Sequence, residues 1–118
     1  MSTAKATMET LRRAIEKSDF DLLMTLYADD AEVRIVDKRT QPSKPLELRG
    51  KKAIGDFYRD VCGRAMTHRV ENEVVGDDRL AFTEACHYPD GCNVLVATVR
   101  ELRAGQIVRE VNVQAWDE

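Results

Sequence analysis

The stretch from residue 92 to residue 116, CNVLVATVRELRAGQIVREVNVQAW, decides the fold of this chain. Apolar and polar residues alternate with a period of two on both sides of Ala104-Gly105, which is typical of two strands joined in a hairpin. Upstream, turn residues at 76–78 and at 89–91 separate two more segments of this kind. We therefore predict four consecutive antiparallel strands, at roughly 67–75, 80–88, 92–103 and 106–116.

Charge favours one register for the last hairpin. A two-residue loop would place Arg100 opposite Arg109, and like charges that face each other across an antiparallel pair are unfavourable. A three-residue loop instead pairs Arg100 with Glu110 and Glu101 with Arg109. We predict the second register, with Gly105 at the left-handed position of the loop.

This register sorts the strand residues onto two faces of the sheet. The predicted mixed face combines apolar and polar side chains: Leu80, Phe82, Glu84, Cys86, Tyr88, Val96, Thr98, Arg100, Val108, Glu110, Asn112 and Gln114. The predicted apolar face carries Leu95, Ala97, Val99, Ile107, Val111, Val113 and Ala115.

The N-terminal half has helical periods around a single longer strand. A first helix is predicted at about 3–17, from apolar residues at Met8, Leu11, Ala14 and Ile15. Ser18 is the predicted N-cap of a second helix, which carries Phe20, Leu23 and Tyr27. The chain is then expected to turn at 29–30 and to form a half-buried strand at 31–35.

A polar loop with two prolines spans residues 37–45, and a brief strand is predicted at 46–48. A third helix follows, because apolar residues recur at helical spacing until Gly63 ends the pattern: Ile54, Phe57, Tyr58 and Val61.

Composition limits the classes of function that are open to the chain. A length of 118 residues suits one domain, which we predict over 1–118. The net charge of −3 is spread along the chain, so no basic face for nucleic acid is expected. No apolar run reaches the roughly 18 residues of a membrane span, and we predict a cytoplasmic protein. Three cysteines without a metal-binding spacing predict reduced thiols, no metal site and no cofactor: Cys62, Cys86 and Cys92.

The order of these elements resembles a known family. LYADDAEV at 26–33, RGKKAIGDFYRDV at 49–61 and AGQIVREVNVQAW at 104–116 are similar to the SnoaL-like and ketosteroid-isomerase-like branch of the nuclear transport factor 2-like superfamily. The resemblance implies an α+β fold. In that fold a cone-shaped roll of three N-terminal helices packs in the concave face of a curved, mostly antiparallel sheet.

The resemblance also implies a pocket and an interface. The concave, mixed face would line a pocket for a small hydrophobic or mixed-polarity ligand. The convex face would pack against a second copy of the chain through Leu95, Val99, Val111 and Val113. The three functional groups of ketosteroid isomerases do not carry over, since their positions correspond to Leu11, Ile35 and Thr98.

Two residues are candidates for catalysis. Polyketide cyclases and epoxide hydrolases of the superfamily have a last-strand carboxylate at or next to the position of Asn112, and Glu110 is the nearest carboxylate. Glu110 is either an acid/base group or an ion pair with Arg100 that braces the hairpin. His68 alternates with Val70 and Val74 on the inward face, where it is either a proton shuttle or a hydrogen-bonded core group.

Further polar residues are candidates for ligand binding. Glu84 is expected to meet a cation or to face the pocket, because an unpaired buried carboxylate is costly. The complete predicted ligand-binding set is Tyr27, Tyr58, Glu84, Thr98, Arg100, Asn112 and Gln114. Two hypotheses remain open: a lyase, cyclase, isomerase or hydrolase that uses proton transfer, and a non-catalytic binding or dimerisation module.

Overall fold

The computed structural model describes residues 5–117. Along the chain, three helices and six strands follow one another in this order: α1 (Met8–Glu16), α2 (Phe20–Thr25), β1 (Tyr27–Val36), β2 (Leu46–Arg49), α3 (Gly50–Cys62), β3 (Thr67–Val75), β4 (Arg79–His87), β5 (Asn93–Arg103) and β6 (Gln106–Trp116). The brief strand, the third helix and the four-stranded meander all lie where the sequence predicts them.

The strands form one six-stranded sheet in the order β2-β1-β6-β5-β4-β3. Only the contact of β1 with β6 is parallel, and the other neighbours are antiparallel. The three helices pack against one face of this curved, unclosed sheet, which confirms the predicted α+β fold class. The main core forms between the helices and this face and includes fully buried Leu11, Leu26, Ile35, Ile54 and Ile107. Within the described residues, no helix is long and apolar enough to cross a membrane.

The register of the β5–β6 hairpin is the predicted one, but its loop is shorter. Arg100 faces Glu110 and Glu101 faces Arg109, as the charges require. The pairing then shifts, so that Arg103 faces Gln106 and only residues 104–105 form the loop. Ala104 and Gly105 both have positive φ, 54° and 77°, which is the backbone of a tight two-residue hairpin turn. The prediction of a three-residue loop was wrong because a bulge takes up the extra residue.

Bulges also correct two predicted side-chain orientations. The bulge beside Val108 brings Ile107 to the helix-covered face, where it is fully buried, and leaves Val108 only half-buried. In β3, the register shifts between Glu71 and Val74, and Val74 is 63% exposed instead of sharing the inward face of His68. A bulge reverses the alternation of faces, and a sequence pattern with a period of two cannot show it.

The junctions before β1 differ from the prediction. The first helix begins after its N-cap Thr7, and residues 1–4 of the predicted helix lie outside the described part of the chain. Asp19, not Ser18, caps α2, and Ser18 is in the left-handed region with φ of 50°. Tyr27 begins β1 instead of belonging to a helix. The expected turn at 29–30 lies inside this strand, where the register with β6 shifts.

Candidate functional site

A cavity of about 490 Å³ opens on the helix-covered face of the sheet. Its floor comes from β4, β5 and β6, where Val94 and Val96 supply apolar surface. Phe57, Tyr58 and Val61 of α3 form one wall. The mouth is lined by charged and aromatic side chains, which include Lys38, Arg64, Tyr88 and Trp116. The cavity thus combines a mostly apolar interior with a few polar groups, as small-molecule sites usually do.

The polar groups on the β3–β4 side of the cavity form one cluster. His68 lies directly opposite Cys86 in the register, and Glu84 precedes Cys86 by two residues on the same face. The Nδ1 atom of His68 lies 3.3 Å from Sγ of Cys86 and 3.6 Å from Oε1 of Glu84. All three residues line the cavity, so a bound molecule would meet this cluster.

Burial shifts the protonation of every member of the cluster. It raises the pKa of Glu84 to about 7, with Arg100 acting in the opposite direction and Glu110 reinforcing the rise. It lowers the pKa of His68, so the imidazole is neutral around neutral pH. Burial, and after it the charge of Glu84, raises the pKa of Cys86 to about 12, so its thiol stays protonated. Glu84 is therefore the member of the cluster that changes charge near neutral pH.

The same cluster is the place where a metal could bind. Within residues 5–117, His68, Glu84 and Cys86 offer ligand atoms that all lie within 4.8 Å of one another. A metal would have to displace the thiol proton of Cys86, which the raised pKa opposes. The cluster is therefore a hydrogen-bonded pair, His68 with Cys86, beside a carboxyl group.

Glu110, the first candidate for catalysis, lies in a second cluster that is closed to the cavity. Its side chain is fully buried. Its carboxylate accepts hydrogen bonds from the hydroxyls of Tyr27 and Tyr58, the latter at 2.5 Å. Arg100 donates through Nη2 at 3.3 Å, and Asn112 donates through Nδ2 at 3.2 Å. Four donors thus surround the carboxylate and leave it no open side for a ligand.

Arg100 is the buried cation of this second cluster. Its side chain is 1% exposed, its Nε donates to Oγ1 of Thr98 at 3.4 Å, and its guanidinium lies over the ring of Phe82. Burial acts to lower the pKa of Arg100, but the surrounding acidic groups, above all Glu110, outweigh it and raise the pKa. The group is therefore charged, and Glu110 is its main counter-ion.

The structure separates the predicted site residues into two layers. Five of them line the cavity: Tyr58, His68, Glu84, Asn112 and Gln114. Four lie behind the cavity floor or wall, in contact with each other: Tyr27, Thr98, Arg100 and Glu110. Cys86 and Trp116 also line the cavity, although the sequence pattern identified neither as a site residue. The predicted position of Cys86 on the mixed face, on the strand next to that of His68, was the signal that could have identified it.

The matching family model agrees with this architecture. The model of the SnoaL-like domain matches residues 8–110, which is most of the chain. The chain therefore belongs to the SnoaL-like domain family. No protein of curated function matches it by sequence.

Solved structures share the fold at low sequence identity. A nuclear transport factor 2-like protein of unknown function from Mesorhizobium loti has a TM-score of 0.80 and 16% identity, over 92% of this chain and 87% of the other. A candidate ketosteroid isomerase from Kribbella flavida has a TM-score of 0.76 and 13% identity, over 93% of this chain and 74% of the other. At these identities the comparison shows a common fold, and function has to be argued from the site.

Proposed function

We propose that this protein binds a small organic molecule in the cavity and catalyses a proton transfer, with Glu84 as the general base and His68 as its partner. The observation that carries the proposal is the position of Glu84, which lines a cavity of about 490 Å³ beside His68 and is buried there, and this burial raises its pKa to about 7. A base with a pKa near the working pH combines a large ionised fraction with useful basicity.

The surroundings of Glu84 suit this role. The Nδ1 atom of His68 lies 3.6 Å from Oε1 of Glu84, and the imidazole is neutral, so a shift of a few tenths of an ångström lets it hydrogen-bond to the carboxyl group. The apolar floor at Val94 and Val96 lowers the polarity around the carboxylate and strengthens its basicity. The similarity to a candidate ketosteroid isomerase from Kribbella flavida is compatible with proton transfer as the type of reaction.

The proposal assigns the catalytic carboxylate to Glu84 and not to Glu110. Glu110 is held by four hydrogen-bond donors and does not line the cavity. A group in that position cannot reach a bound molecule without breaking the second cluster. We propose that Glu110 fixes Arg100 and Tyr27 behind the floor and the hydroxyl of Tyr58 in the wall. We assign to His68 the proton-transfer role, one of the two that the sequence left open.

Glu84→Gln is expected to lower proton exchange by at least about tenfold, because general bases contribute effects of this size or larger. The probe is α-tetralone, a flat ketone that is small enough for the cavity, and the loss of its C2 protons in D₂O is followed by NMR. The rate with the wild-type protein should rise through pH 7 as Glu84 ionises.

Glu71→Gln is the matched control, since Glu71 is an exposed carboxylate on β3 outside the cavity. It should leave the exchange rate unchanged. Equal exchange rates for Glu84→Gln and the wild type would exclude Glu84 as the base. Binding of the probe without any exchange would favour the non-catalytic binding module.

We also propose that the face of the sheet opposite the helices forms a homodimer. It carries four exposed apolar side chains in two adjacent strands: Leu95, Val99, Val111 and Val113, between 37% and 54% exposed. Val99 and Val111 are direct neighbours across the strands, so the apolar surface is continuous. Such surfaces on soluble proteins usually mark contacts with other proteins.

The three free thiols support a cytoplasmic location: Cys62, Cys86 and Cys92.

Val111→Glu is expected to convert the dimer into a monomer, because it places a charge in the centre of this apolar surface. Sedimentation velocity measures the mass. Val74→Glu is the matched control, as Val74 is also an exposed valine, 63% against 37% for Val111, but lies near the end of β3, outside the surface. A wild-type protein that is monomeric at all concentrations, or a dimeric Val111→Glu variant, would contradict the proposal.

A further inference from the structure

Four side chains on the inner face of β6 form a ladder of hydrogen bonds. They are Glu110, Asn112, Gln114 and Trp116, every second residue of the strand. Nε1 of Trp116 donates to Oε1 of Gln114 at 3.0 Å, and Nε2 of Gln114 donates to Oδ1 of Asn112 at 3.2 Å. Nδ2 of Asn112 donates to Glu110 at 3.2 Å. The ladder thus runs from the mouth of the cavity to the buried carboxylate.

The two ends of the ladder determine how both amides are oriented. Glu110 accepts from two tyrosine hydroxyls and from Arg100, so it acts as an acceptor towards Asn112. The indole of Trp116 has only an N–H and can act only as a donor towards Gln114. A flipped amide at either position would set two donors or two acceptors against each other. The carbonyl oxygens of Asn112 and Gln114 therefore point towards the mouth along the ladder, and their nitrogens point inward.

This orientation leaves unused donors on the cavity wall. Each amide nitrogen carries two hydrogens, and the ladder uses one of them. Within residues 5–117, no other hydrogen bond uses the second hydrogen of Asn112 or of Gln114. Both residues line the cavity, and the carbonyl oxygen of each already accepts one bond. The β6 side of the cavity therefore favours a ligand atom that accepts hydrogen bonds.

The register places these donors across the cavity from Glu84. Gln114 faces Val96 on β5, and Val96 faces Glu84 on β4, so the three residues form one row across the sheet. Two strand spacings separate the backbones of Gln114 and Glu84, which is about 9–10 Å. A flat molecule that rests on Val96 can thus contact both sides at once.

We propose that Asn112 and Gln114 form a subsite for the carbonyl oxygen of an uncharged carbonyl compound. This inference rests on the proposed proton transfer and names its substrate class. The two N–H groups hold the oxygen and stabilise the negative charge that develops on it when the carboxylate of Glu84 removes a proton from the adjacent carbon. The C–H bond breaks, its electron pair forms the enolate, and the proton moves to Glu84. An anionic ligand is disfavoured because it would meet the ionised Glu84.

The test compares three probes of nearly equal shape by titration calorimetry: α-tetralone, α-tetralol and tetralin. The wild-type protein is expected to bind the ketone about 5–10 times more tightly than tetralin, the effect of one or two hydrogen bonds to neutral groups. Gln114→Met removes one of the two donors at similar length and should lower this ratio at least about twofold, with tetralin binding unchanged. Gln106→Met is the matched control on the same strand, at the turn and outside the cavity.

Gln114→Glu provides a second variant that keeps an acceptor for Trp116 but has no N–H. It should bind the alcohol in preference to the ketone, a reversal that a general loss of structure would not produce. Equal binding of ketone and tetralin by the wild type, no binding of either, or a ketone preference that is undiminished in both Gln114 variants would overturn the subsite. Proton exchange without ketone preference rejects only the subsite. Ketone preference without exchange rejects only the proton transfer.

Discussion

Glu110→Gln is expected to lower the free energy of unfolding by about 3–5 kcal/mol, the effect of removing one partner from a buried ion pair. Arg100 is 1% exposed, and its Nη1 already has no hydrogen-bond partner within the described residues. Without the charge of Glu110, the guanidinium would remain buried with its contacts to Thr98 and the ring of Phe82 but without its main counter-ion. Urea unfolding, followed by the fluorescence of Trp116, measures the loss.

An exposed pair provides the control for this prediction. Glu101 and Arg79 approach to 3.4 Å, close to the 3.3 Å between Glu110 and Arg100, but both are accessible to solvent. Glu101→Gln should therefore cost less than about 1 kcal/mol. The double variant Arg100→Met with Glu110→Gln removes the uncompensated charge and should recover most of the lost stability. A double variant as unstable as Glu110→Gln alone would show that Arg100 is not the cause.

The predictable part of the fold is the part that local patterns determine. Strands and helices follow from hydrophobic periodicity, and the β5–β6 register follows from the charges of Arg100 and Glu110. The errors in side-chain orientation share one physical origin. A bulge adds one residue to a strand and reverses the faces beyond it, as at Val108 and before Val74. In the sequence, the extra residue of a bulge does not differ from any other strand residue.

The candidate site was predictable as a set of residues but not as an arrangement. Alternation together with the hairpin register placed Glu84, Glu110, Asn112 and Gln114 on one face of the sheet, which is the face that the helices cover. Which of the two carboxylates lines the cavity depends on how deeply the neighbouring elements bury each position. The hydrophobic period and the spacing of residues in the sequence do not give this depth. Tyr58 decides the matter here, because its hydroxyl donates to Glu110 from α3 and closes the access to that carboxylate.

The same difference in depth predicts that Glu84 makes stability depend on pH. Its pKa is about 7 in the folded protein, against the ordinary value of 4.5 that the exposed side chain has in the unfolded chain. Below pH 4.5 the carboxyl group of Glu84 is protonated in both the folded and the unfolded state, so its burial causes no pH-dependent loss of stability. Between these two values only the folded state holds the proton, so stability falls as the pH rises. Each pKa unit is worth about 1.36 kcal/mol, and the loss is therefore on the order of 3 kcal/mol by pH 8.

Glu84→Gln should remove this loss, because glutamine does not ionise. The free energy of unfolding of the variant, relative to that of the wild type, is expected to rise by on the order of 3 kcal/mol between pH 4.5 and pH 8. Urea unfolding across that pH range measures it. The stability of Glu71→Gln, a change at an exposed position, should depend on pH in the same way as that of the wild type. Arg100 and Glu110 face Glu84 and oppose each other in their effect on its pKa, so the shift reflects burial. A constant difference between Glu84→Gln and the wild type at every pH would mean that Glu84 ionises normally, and it would remove the main support for Glu84 as the base.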